Sequence, residues 1–268
     1  MEREAQAKGQ APQFVLLTSY IGDHIAVAAF NRPEARNAVN AEVAAELHAF
    51  VLAVEANPKA RVGILTGNGP IFCAGADLKE VSQGRDIRLP RLGGFAGFAN
   101  NPRAKPWIVA MNGSSYGGGT ELLLACELAV MAEGAVAALS EVKRGLVPLG
   151  GGAIRLPRRL PPAIANEILL TGEPIKAQRA YELGLVNRVV PADRVMDEAI
   201  ALAEKIAEAS PFGVRTSLRL ARQTLDLPID EMWRINNETL VELYNSPDFR
   251  EGPRAFVEKR KPVWHEDS

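Results

Sequence analysis

The sequence is poor in cysteine, histidine and aromatic residues, and it has almost no net charge. Its 268 residues include two cysteines and three histidines, which is too few for a disulfide framework or a Cys/His zinc site. The formal net charge of -1 creates no overall field that would attract DNA or RNA. We therefore expect a reducing compartment, no bound metal and no nucleic-acid partner.

Long apolar runs are also absent. The most apolar stretch, residues 122–139, is interrupted by Glu127 and Glu133, whereas a membrane span needs about 20 consecutive apolar residues. Residues 1–13 mix acidic and basic side chains without an apolar segment, so they resemble neither a secretory signal nor a transit peptide. We interpret them as a flexible tail, and we expect a cytoplasmic protein without a membrane partner.

The apolar pattern that is present predicts a mixed α/β fold with a helical C-terminal part. Apolar spacings of three and four residues after Asn40 predict a helix that stops at Asn57. Short apolar runs predict strands at residues 14–20, 25–30, 62–66, 107–111, 128–132, 136–139 and 186–190. Later helices are predicted at residues 163–170, 177–182, 195–209, 214–224 and 230–244.

The composition changes near residue 160 without a linker or a low-complexity segment. We predict a tail at residues 1–13, an α/β core with the active site at residues 14–200, and a helical oligomerisation part at residues 201–268. Within the core, glycines, prolines and arginines predict irregular structure over residues 82–103.

Two predicted strands run into glycine-containing turns, at residues 73–77 and 116–119. Such turns allow backbone N–H groups to point at one spot, and a pair of them would form an oxyanion hole for an enolate or a tetrahedral intermediate. The alternative is that the glycines serve only tight turns or close packing. Nucleotide loops are excluded, because the sequence has neither G-x-G-x-x-G nor a glycine followed by lysine.

Glu121 and Glu141 are candidate acid–base residues. Glu121 lies just inside the helix that the second glycine turn opens, and Glu141 follows the apolar run 136–139. Two carboxylates beside an oxyanion hole would hold a water molecule, one accepting its proton while the other donates one. The alternative is that Glu121 only favours the helix N-terminus and that Glu141 forms an ion pair with Lys143 or Arg144.

Several short motifs follow one another along the chain. They are Asn31-Arg32-Pro33, Ala74-Gly75-Ala76-Asp77-Leu78-Lys79, Asn112-Gly113, Gly117-Gly118-Gly119-Thr120-Glu121-Leu122, Ser140-Glu141-Val142 with Gly145, and Gly150-Gly151-Gly152. The series resembles that of the crotonase (enoyl-CoA hydratase/isomerase) superfamily and follows the order of that family. Residues 180–186 also resemble its helix-to-strand segment, and residues 256–261 resemble its C-terminal helix.

The resemblance implies a crotonase fold, which is a spiral of ββα units with a helical C-terminal part, assembled as trimers that often pair into hexamers. It implies an acyl-CoA substrate whose thioester oxygen is held by the backbone N–H groups of Ala76 and Gly118. Glu121 and Glu141 match both glutamates of the hydratase branch. This match implies syn addition of water to a 2-enoyl-CoA, with Glu141 delivering the proton to C2. No cofactor is implied, because CoA is part of the substrate.

The resemblance also implies the residues that hold CoA. In the family, the backbone of the first oxyanion loop and basic side chains bind the adenine end, and C-terminal residues reach the CoA of a neighbouring subunit. The matching positions are Ala74, Asp77, Leu78, Arg36 and Lys79 for the first group, and Phe256 and Lys259 for the second. Some hydratases carry lysine at the position of Glu34, so Arg36 is the candidate that replaces this phosphate contact.

Alternatives to hydration stay open at this point. An oxyanion hole with one carboxylate suffices for Δ3,Δ2-enoyl-CoA isomerisation, and dehydration of a hydroxyacyl-CoA uses the same site in reverse. A non-catalytic acyl-CoA-binding protein is a further alternative, because a fold does not determine function. The acyl group stays undefined, since we expect residues 82–103 and the C-terminal helices to form its pocket.

Overall fold

The structure, a computed structural model, describes residues 14–84 and 93–266. The tail predicted for residues 1–13 and part of the predicted irregular segment, residues 85–92, lie outside the described residues. The described residues form two β-sheets, and helices predominate after residue 190.

The strands divide between a larger and a smaller sheet. The larger sheet contains, in spatial order, β1 (Leu16–Ile21), β2 (Ile25–Phe30), β3 (Val62–Gly67), β5 (Trp107–Met111), β7 (Leu128–Ala132) and β10 (Arg188–Val190). The smaller sheet contains β4 (Ile71–Cys73), β6 (Ser114–Tyr116), β8 (Val136–Ala138) and β9 (Ile175–Lys176). The pairs β1–β2 and β8–β9 are antiparallel, and the other pairs are parallel.

A repeated ββα unit explains this strand order. In each unit the first strand joins the larger sheet, the second strand joins the smaller sheet, and a helix follows. The helices of the three successive units are α2 (Leu78–Ser82), α3 (Gly118–Ala125) and α4 (Gly152–Arg159). Because first strands pair with first strands and second strands with second strands, each unit lies beside the previous one, and the chain advances as a spiral.

The other helices flank this spiral or follow it. They are α1 (Ala41–Ala56), α5 (Pro162–Thr171), α6 (Ala177–Glu182), α7 (Val195–Ala207), α8 (Pro211–Gln223), α9 (Ile229–Asn245) and α10 (Pro247–Val257). Helix α1 begins where the sequence predicts, because the Asn40 side chain accepts a hydrogen bond from the Val43 N–H group at 2.9 Å. No helix among the described residues is long and apolar enough to cross a membrane.

The hydrophobic core lies on the larger sheet, against which α1 and α7 pack. Trp107 on β5 is fully buried and fits against Gly63 on β3, where a Cβ atom would lie 2.6 Å from Trp107 Cε3. On α7, Ala199 and Ala203 are fully buried in the same core. The predicted division at residue 200 therefore falls inside a core helix, and the C-terminal helices separate from the core only after α7. The oligomerisation role of residues 201–268 stays a prediction.

Most predicted elements agree with the structure. β5, β7 and α6 have the predicted bounds, and the first hairpin, α1 and α7 to α9 differ only at their ends. Some elements were missed or differ from the expectation. Helix α4 was not predicted, because Pro157 after three glycines is typical of a loop. Strand β9 was not predicted either. Residues 256–261 resemble a C-terminal helix, but α10 ends at Val257, so most of them lie beyond the helix.

Candidate active site

The candidate site lies where three neighbouring parallel strands of the smaller sheet end. Strands β4, β6 and β8 are adjacent and parallel, so the segments that follow them meet at one edge of the sheet. The predicted N–H donors, Ala76 and Gly118, follow β4 and β6. The predicted glutamates, Glu121 and Glu141, follow β6 and β8. The fold thus brings together the four residues that the sequence predicts to be catalytic.

The segment after β4 is fixed by Arg32 and by Val39. The Arg32 guanidinium donates two hydrogen bonds to Asp77 Oδ2, each at 3.1 Å. The Val39 N–H group donates to the Gly75 carbonyl at 2.8 Å, and the Val39 carbonyl accepts from the Asp77 N–H group at 2.9 Å. In this extended pairing the Ala76 N–H group points away from Val39, and no hydrogen bond among the described residues uses it.

The segment after β6 brings a second such N–H group beside the first. Gly118 is the first residue of α3, and its N–H group makes no hydrogen bond within the described part of the chain. A Cβ atom on Gly75 would lie 3.0 Å from the Gly118 nitrogen and 2.7 Å from the Tyr116 carbonyl oxygen. The two segments are therefore in direct contact. The N–H groups of Ala76 and Gly118 lie on adjoining segments, as an oxyanion hole requires.

Thr120 connects α3 to the third strand, a role that the sequence pattern did not predict. Its hydroxyl donates to the Ala138 carbonyl at 3.0 Å and accepts from the Ala138 N–H group at 3.1 Å. The Ser115 hydroxyl lies 2.8 Å from the same oxygen. Because Ala138 ends the strand that leads to Glu141, these hydrogen bonds fix the position of Glu121 relative to Glu141.

Glu121 is a buried carboxylic acid on α3, with a relative exposure of 4%. Its Oε1 accepts a hydrogen bond from the Gly152 N–H group at 2.9 Å. The carboxyl group also packs directly against Gly150, where an added Cβ atom would lie 2.9 Å from Glu121 Cδ. Burial, reinforced by the negative charge of Glu141, raises the pKa of Glu121 to about 7, against the lowering effect of the Gly152 donor. A carboxyl group with this pKa can accept or donate a proton near neutral pH.

Glu141 follows β8 and faces the second oxyanion segment. A Cβ atom added to Gly117 would lie 3.4 Å from Glu141 Oε1, so the carboxyl group lies directly beside this glycine. The other carboxyl oxygen, Oε2, is buried without a hydrogen-bond partner in the described structure. The ion pair considered as an alternative is absent among the described residues, because Lys143 pairs with Glu173 at 2.6 Å and Arg144 donates to a neighbouring serine. Burial raises the pKa of Glu141. Its unpartnered oxygen can therefore bind a water molecule or a substrate.

Phe95 closes one side of the site. A Cβ atom on Gly118 would lie 2.9 Å from Phe95 Cε2, and a Cβ atom on Gly150 would lie 3.0 Å from Phe95 Cβ. Phe95 therefore packs against both the oxyanion segment and the turn that contacts Glu121. It belongs to a short 3₁₀ turn, Phe95–Gly97, in the irregular segment. The sequence predicted that this segment contributes to the acyl pocket, but no local signal identified Phe95.

The predicted CoA-binding residues near the first segment lie at or close to the surface. Arg36, Leu78 and Lys79 are exposed, and Ala74 and Asp77 are partly buried. The Ala74 N–H group donates to the Arg36 carbonyl at 3.0 Å, and the Asp77 carboxylate accepts from the Lys79 N–H group at 3.2 Å. These hydrogen bonds place the five residues in one patch beside the oxyanion segment. Their contact with CoA stays a prediction.

Phe256 and Lys259 lie at the C-terminal end of α10 and just beyond it. Both side chains are exposed, and Phe256 has a relative exposure of 85%. Glu34, where some hydratases carry lysine, is exposed in a 3₁₀ turn near Arg36. The predicted contact of Phe256 and Lys259 with the CoA of a neighbouring subunit stays a prediction.

The cysteines contribute packing rather than reactive groups. Cys73 and Cys126 are buried free thiols, and burial raises the pKa of each to about 12. A thiol with this pKa is protonated at neutral pH and is a poor nucleophile. In the part of the chain that the structure describes, no group of three or more His, Cys, Asp or Glu side chains is arranged to hold a metal ion.

The buried Glu121 predicts a pH-dependent change in stability. Its pKa rises from 4.5 to about 7 on folding, so its favourable contribution is present below pH 4.5 and is lost as the pH rises through 7. Glu121→Gln should therefore stabilise the fold at pH 8 by up to about 3 kcal/mol, and by much less at pH 5. Thermal melts of the wild type and of Glu121→Gln at pH 8 and pH 5 measure this difference in stability.

The exposed Glu167 provides a control, since Glu167→Gln should show no such pH-dependent gain. An equal effect of both substitutions would contradict the assignment.

The fold and the site define a class of enzyme. The ββα spiral brings two backbone N–H groups, both without an acceptor in the described part of the chain, beside two carboxyl groups. This arrangement is suited to stabilising an enolate while protons move. The sequence profile of the enoyl-CoA hydratase/isomerase family matches residues 21–267. The chain therefore belongs to the enoyl-CoA hydratase/isomerase family, and the crotonase fold and the enzyme class predicted from the sequence are confirmed.

Named relatives and solved structures agree with this family. The chain is 41% identical to the carnitinyl-CoA dehydratase of Proteus mirabilis over 241 residues, which cover 87% of this chain and 92% of that protein. The crystal structure of an enoyl-CoA hydratase from Mycobacterium tuberculosis H37Rv superimposes with a TM-score of 0.91 at 41% identity, covering 94% of this chain and 99% of that one. A carnitinyl-CoA hydratase from Mycobacterium avium gives a TM-score of 0.76 at 40% identity, covering 94% and 98%.

Proposed function

We propose that the protein is an enoyl-CoA hydratase, which adds water reversibly to a 2-enoyl-CoA and forms a 3-hydroxyacyl-CoA. The observation that carries this proposal is the position of Glu121 and Glu141 beside two N–H groups that no described residue accepts from. The buried Glu141 Oε2 has no partner among the described residues, which suits a group that holds the reacting water.

In the proposed reaction, the thioester oxygen accepts hydrogen bonds from the N–H groups of Ala76 and Gly118. Glu121 removes a proton from water while the water oxygen bonds to C3, and the electron pair of the C2–C3 double bond moves toward the thioester to form an enolate. Glu141 then delivers a proton to C2. The step balances when Glu121 starts ionised and Glu141 starts protonated: Glu121 gains a proton from water, Glu141 loses one to C2, and proton exchange with solvent restores both carboxyl groups. The pKa of Glu121, about 7, allows it to act as the base near neutral pH.

The reverse reaction is a second candidate function, because several relatives are named carnitinyl-CoA dehydratases. Dehydration of a 3-hydroxyacyl-CoA uses the same two carboxyl groups with their roles exchanged. Isomerisation of the double bond needs only one carboxyl group, whereas here burial raises the pKa of both Glu121 and Glu141. This arrangement favours hydration or dehydration over isomerisation.

We propose that the protein needs no cofactor, since CoA enters as part of the substrate and the chain supplies the proton donors and acceptors. We also propose a cytoplasmic location, because both cysteines are free thiols, as a reducing compartment maintains them.

We propose that the chain assembles as a trimer or as a pair of trimers. The C-terminal helices carry large apolar side chains that are exposed in the single chain, among them Trp233 at 61% and Phe256 at 85% relative exposure. Covering such side chains would remove apolar surface from water. Light scattering after size-exclusion chromatography measures the mass, and a monomer at micromolar concentration would contradict this proposal.

A panel of 2-enoyl-CoA substrates of increasing chain length tests the proposed activity. The hydratase should remove the conjugated enoyl-thioester absorbance for at least one chain length. The order of the rates should show how much space Phe95 leaves for the acyl chain. Tight CoA binding without turnover of any member would instead support the non-catalytic alternative.

A further inference from the structure

Arg155 on α4 is a partly buried cation that lies close to the site without belonging to it. Its Nη1 donates to the Gly150 carbonyl at 3.2 Å, and its Nη2 donates to the Ala99 carbonyl. Gly150 begins the turn that contacts Glu121, and Ala99 follows the 3₁₀ turn that carries Phe95. The Arg155 guanidinium therefore connects two segments that border the site and are distant in sequence: the turn that begins at Gly150 and the segment that carries Phe95.

The turn from Gly150 to Gly152 is built around this guanidinium. Gly151 adopts a φ of +114°, and a Cβ atom there would overlap Arg155 Nη1. The next residue, Gly152, donates its N–H group to Glu121 Oε1 at 2.9 Å. The position of the Glu121 carboxylate thus depends on a turn whose shape depends on Arg155.

The segment that carries Phe95 is also anchored by two other side chains. His48 on α1 lies with Nδ1 3.1 Å from the Gly97 carbonyl, and Arg103 donates to the Phe98 carbonyl at 2.5 Å. Of these anchors, Arg155 is the one that also contacts the turn beside Glu121. Its positive charge lowers the pKa of Glu121, opposing the effect of burial.

We propose that Arg155 is a positioning residue for the reaction, because it ties the turn that holds Glu121 to the segment that carries Phe95. The inference rests on the proposed hydratase function for its kinetic consequence. Its structural consequence, the placement and charge state of Glu121, does not depend on which acyl-CoA is turned over.

Two substitutions separate the charge of Arg155 from its geometry. Arg155→Gln removes the charge and the planar fork, whereas Arg155→Lys keeps the charge but provides one nitrogen in place of two. We expect kcat to fall by about tenfold or more in both variants with a smaller change in KM, since small displacements of a catalytic group have large effects on rate. The acid limb of the pH–rate profile should move to higher pH in Arg155→Gln and stay near the wild-type position in Arg155→Lys.

Arg159 provides a matched control one helical turn further along α4. It is similarly buried and donates to the Cys126 carbonyl, at the far end of α3 from the oxyanion segments. Arg159→Gln should leave the pH–rate profile in place. If it moved the acid limb as Arg155→Gln does, a general loss of packing would explain both results and the proposal would fail.

A direct titration distinguishes this inference from the proposed activity. Carbon-13 NMR of glutamate-labelled protein, with the Glu121 signal assigned by its absence in Glu121→Gln, reports the pKa of Glu121 without substrate. A higher pKa in Arg155→Gln than in the wild type supports the role of Arg155, even if no enoyl-CoA is turned over. An unchanged pKa overturns it, even if the wild type is an active hydratase.

Discussion

Glu141→Gln is expected to lower kcat by about 10²–10⁴-fold, which is the range for loss of a general acid or base. The substitution keeps the size and shape of the side chain but replaces one of its two carboxyl oxygens, Oε1 or the Oε2 that has no described partner, with an NH₂ group. The resulting amide cannot donate the proton to C2. Glu121→Gln should cause a loss of the same order, because it removes the base that accepts the proton of water. KM should change little, since neither carboxylate binds the CoA part of the substrate.

Two comparisons make this result specific. Glu173→Gln removes an exposed carboxylate that pairs with Lys143, a residue of the turn that begins at Glu141. This substitution should leave kcat unchanged. Glu121→Gln should melt at a higher temperature than the wild type at pH 8, so its loss of activity cannot be attributed to unfolding. Wild-type turnover by both catalytic-site variants would show that the two-carboxylate mechanism is wrong.

Gly75→Ala is expected to lower kcat by about 10²–10³-fold, the loss typical of one oxyanion donor. The added Cβ atom would lie 2.7 Å from the Tyr116 carbonyl oxygen and 3.0 Å from the Gly118 nitrogen. These contacts are too short, so the two oxyanion segments must separate, and their N–H groups can no longer bind one oxygen atom. Steady-state kinetics with a 2-enoyl-CoA measures the loss.

Gly184→Ala separates this effect from backbone strain. Gly75 has a φ of +88° and Gly184 a φ of +74°, so alanine is strained at both positions. A Cβ atom on Gly184, however, would meet no other described atom within 4 Å apart from its own chain neighbours. We expect Gly184→Ala to lose about 1–3 kcal/mol of stability through strain alone and to keep its kcat. Equal kcat values for the two folded variants would contradict the placement of the oxyanion hole.

Much of the fold follows from local pattern. Helix α1 could be predicted because Asn40 caps it and Asn57 ends it, and the bounds of β5 follow from a short apolar run. Helix α4 could not be predicted, because its sequence begins with glycine and contains Pro157. It is stabilised instead by tertiary contacts, among them those of Arg155, that no local pattern encodes.

The site shows the same division between local and tertiary information. The glycine turns and the two glutamates are visible in the sequence, but their spacing does not show that they meet. That conclusion needed the family resemblance and then the parallel order of β4, β6 and β8. The pKa of Glu121 depends on burial and on Gly152, which lies 31 residues away along the chain. Phe95 and Thr120 were missed for the same reason, since their roles exist only in the folded chain.

Isotope incorporation tests the central claim most directly. The protein is incubated with a 2-enoyl-CoA that it turns over, once in H₂¹⁸O and once in D₂O, and the product is analysed by mass spectrometry and NMR. Hydration by Glu121 and Glu141 predicts one ¹⁸O at C3 and one deuterium at C2, added to the same face of the double bond. Deuterium at C2 or C4 without ¹⁸O at C3 would show enolate chemistry without water addition, and it would contradict the proposed function.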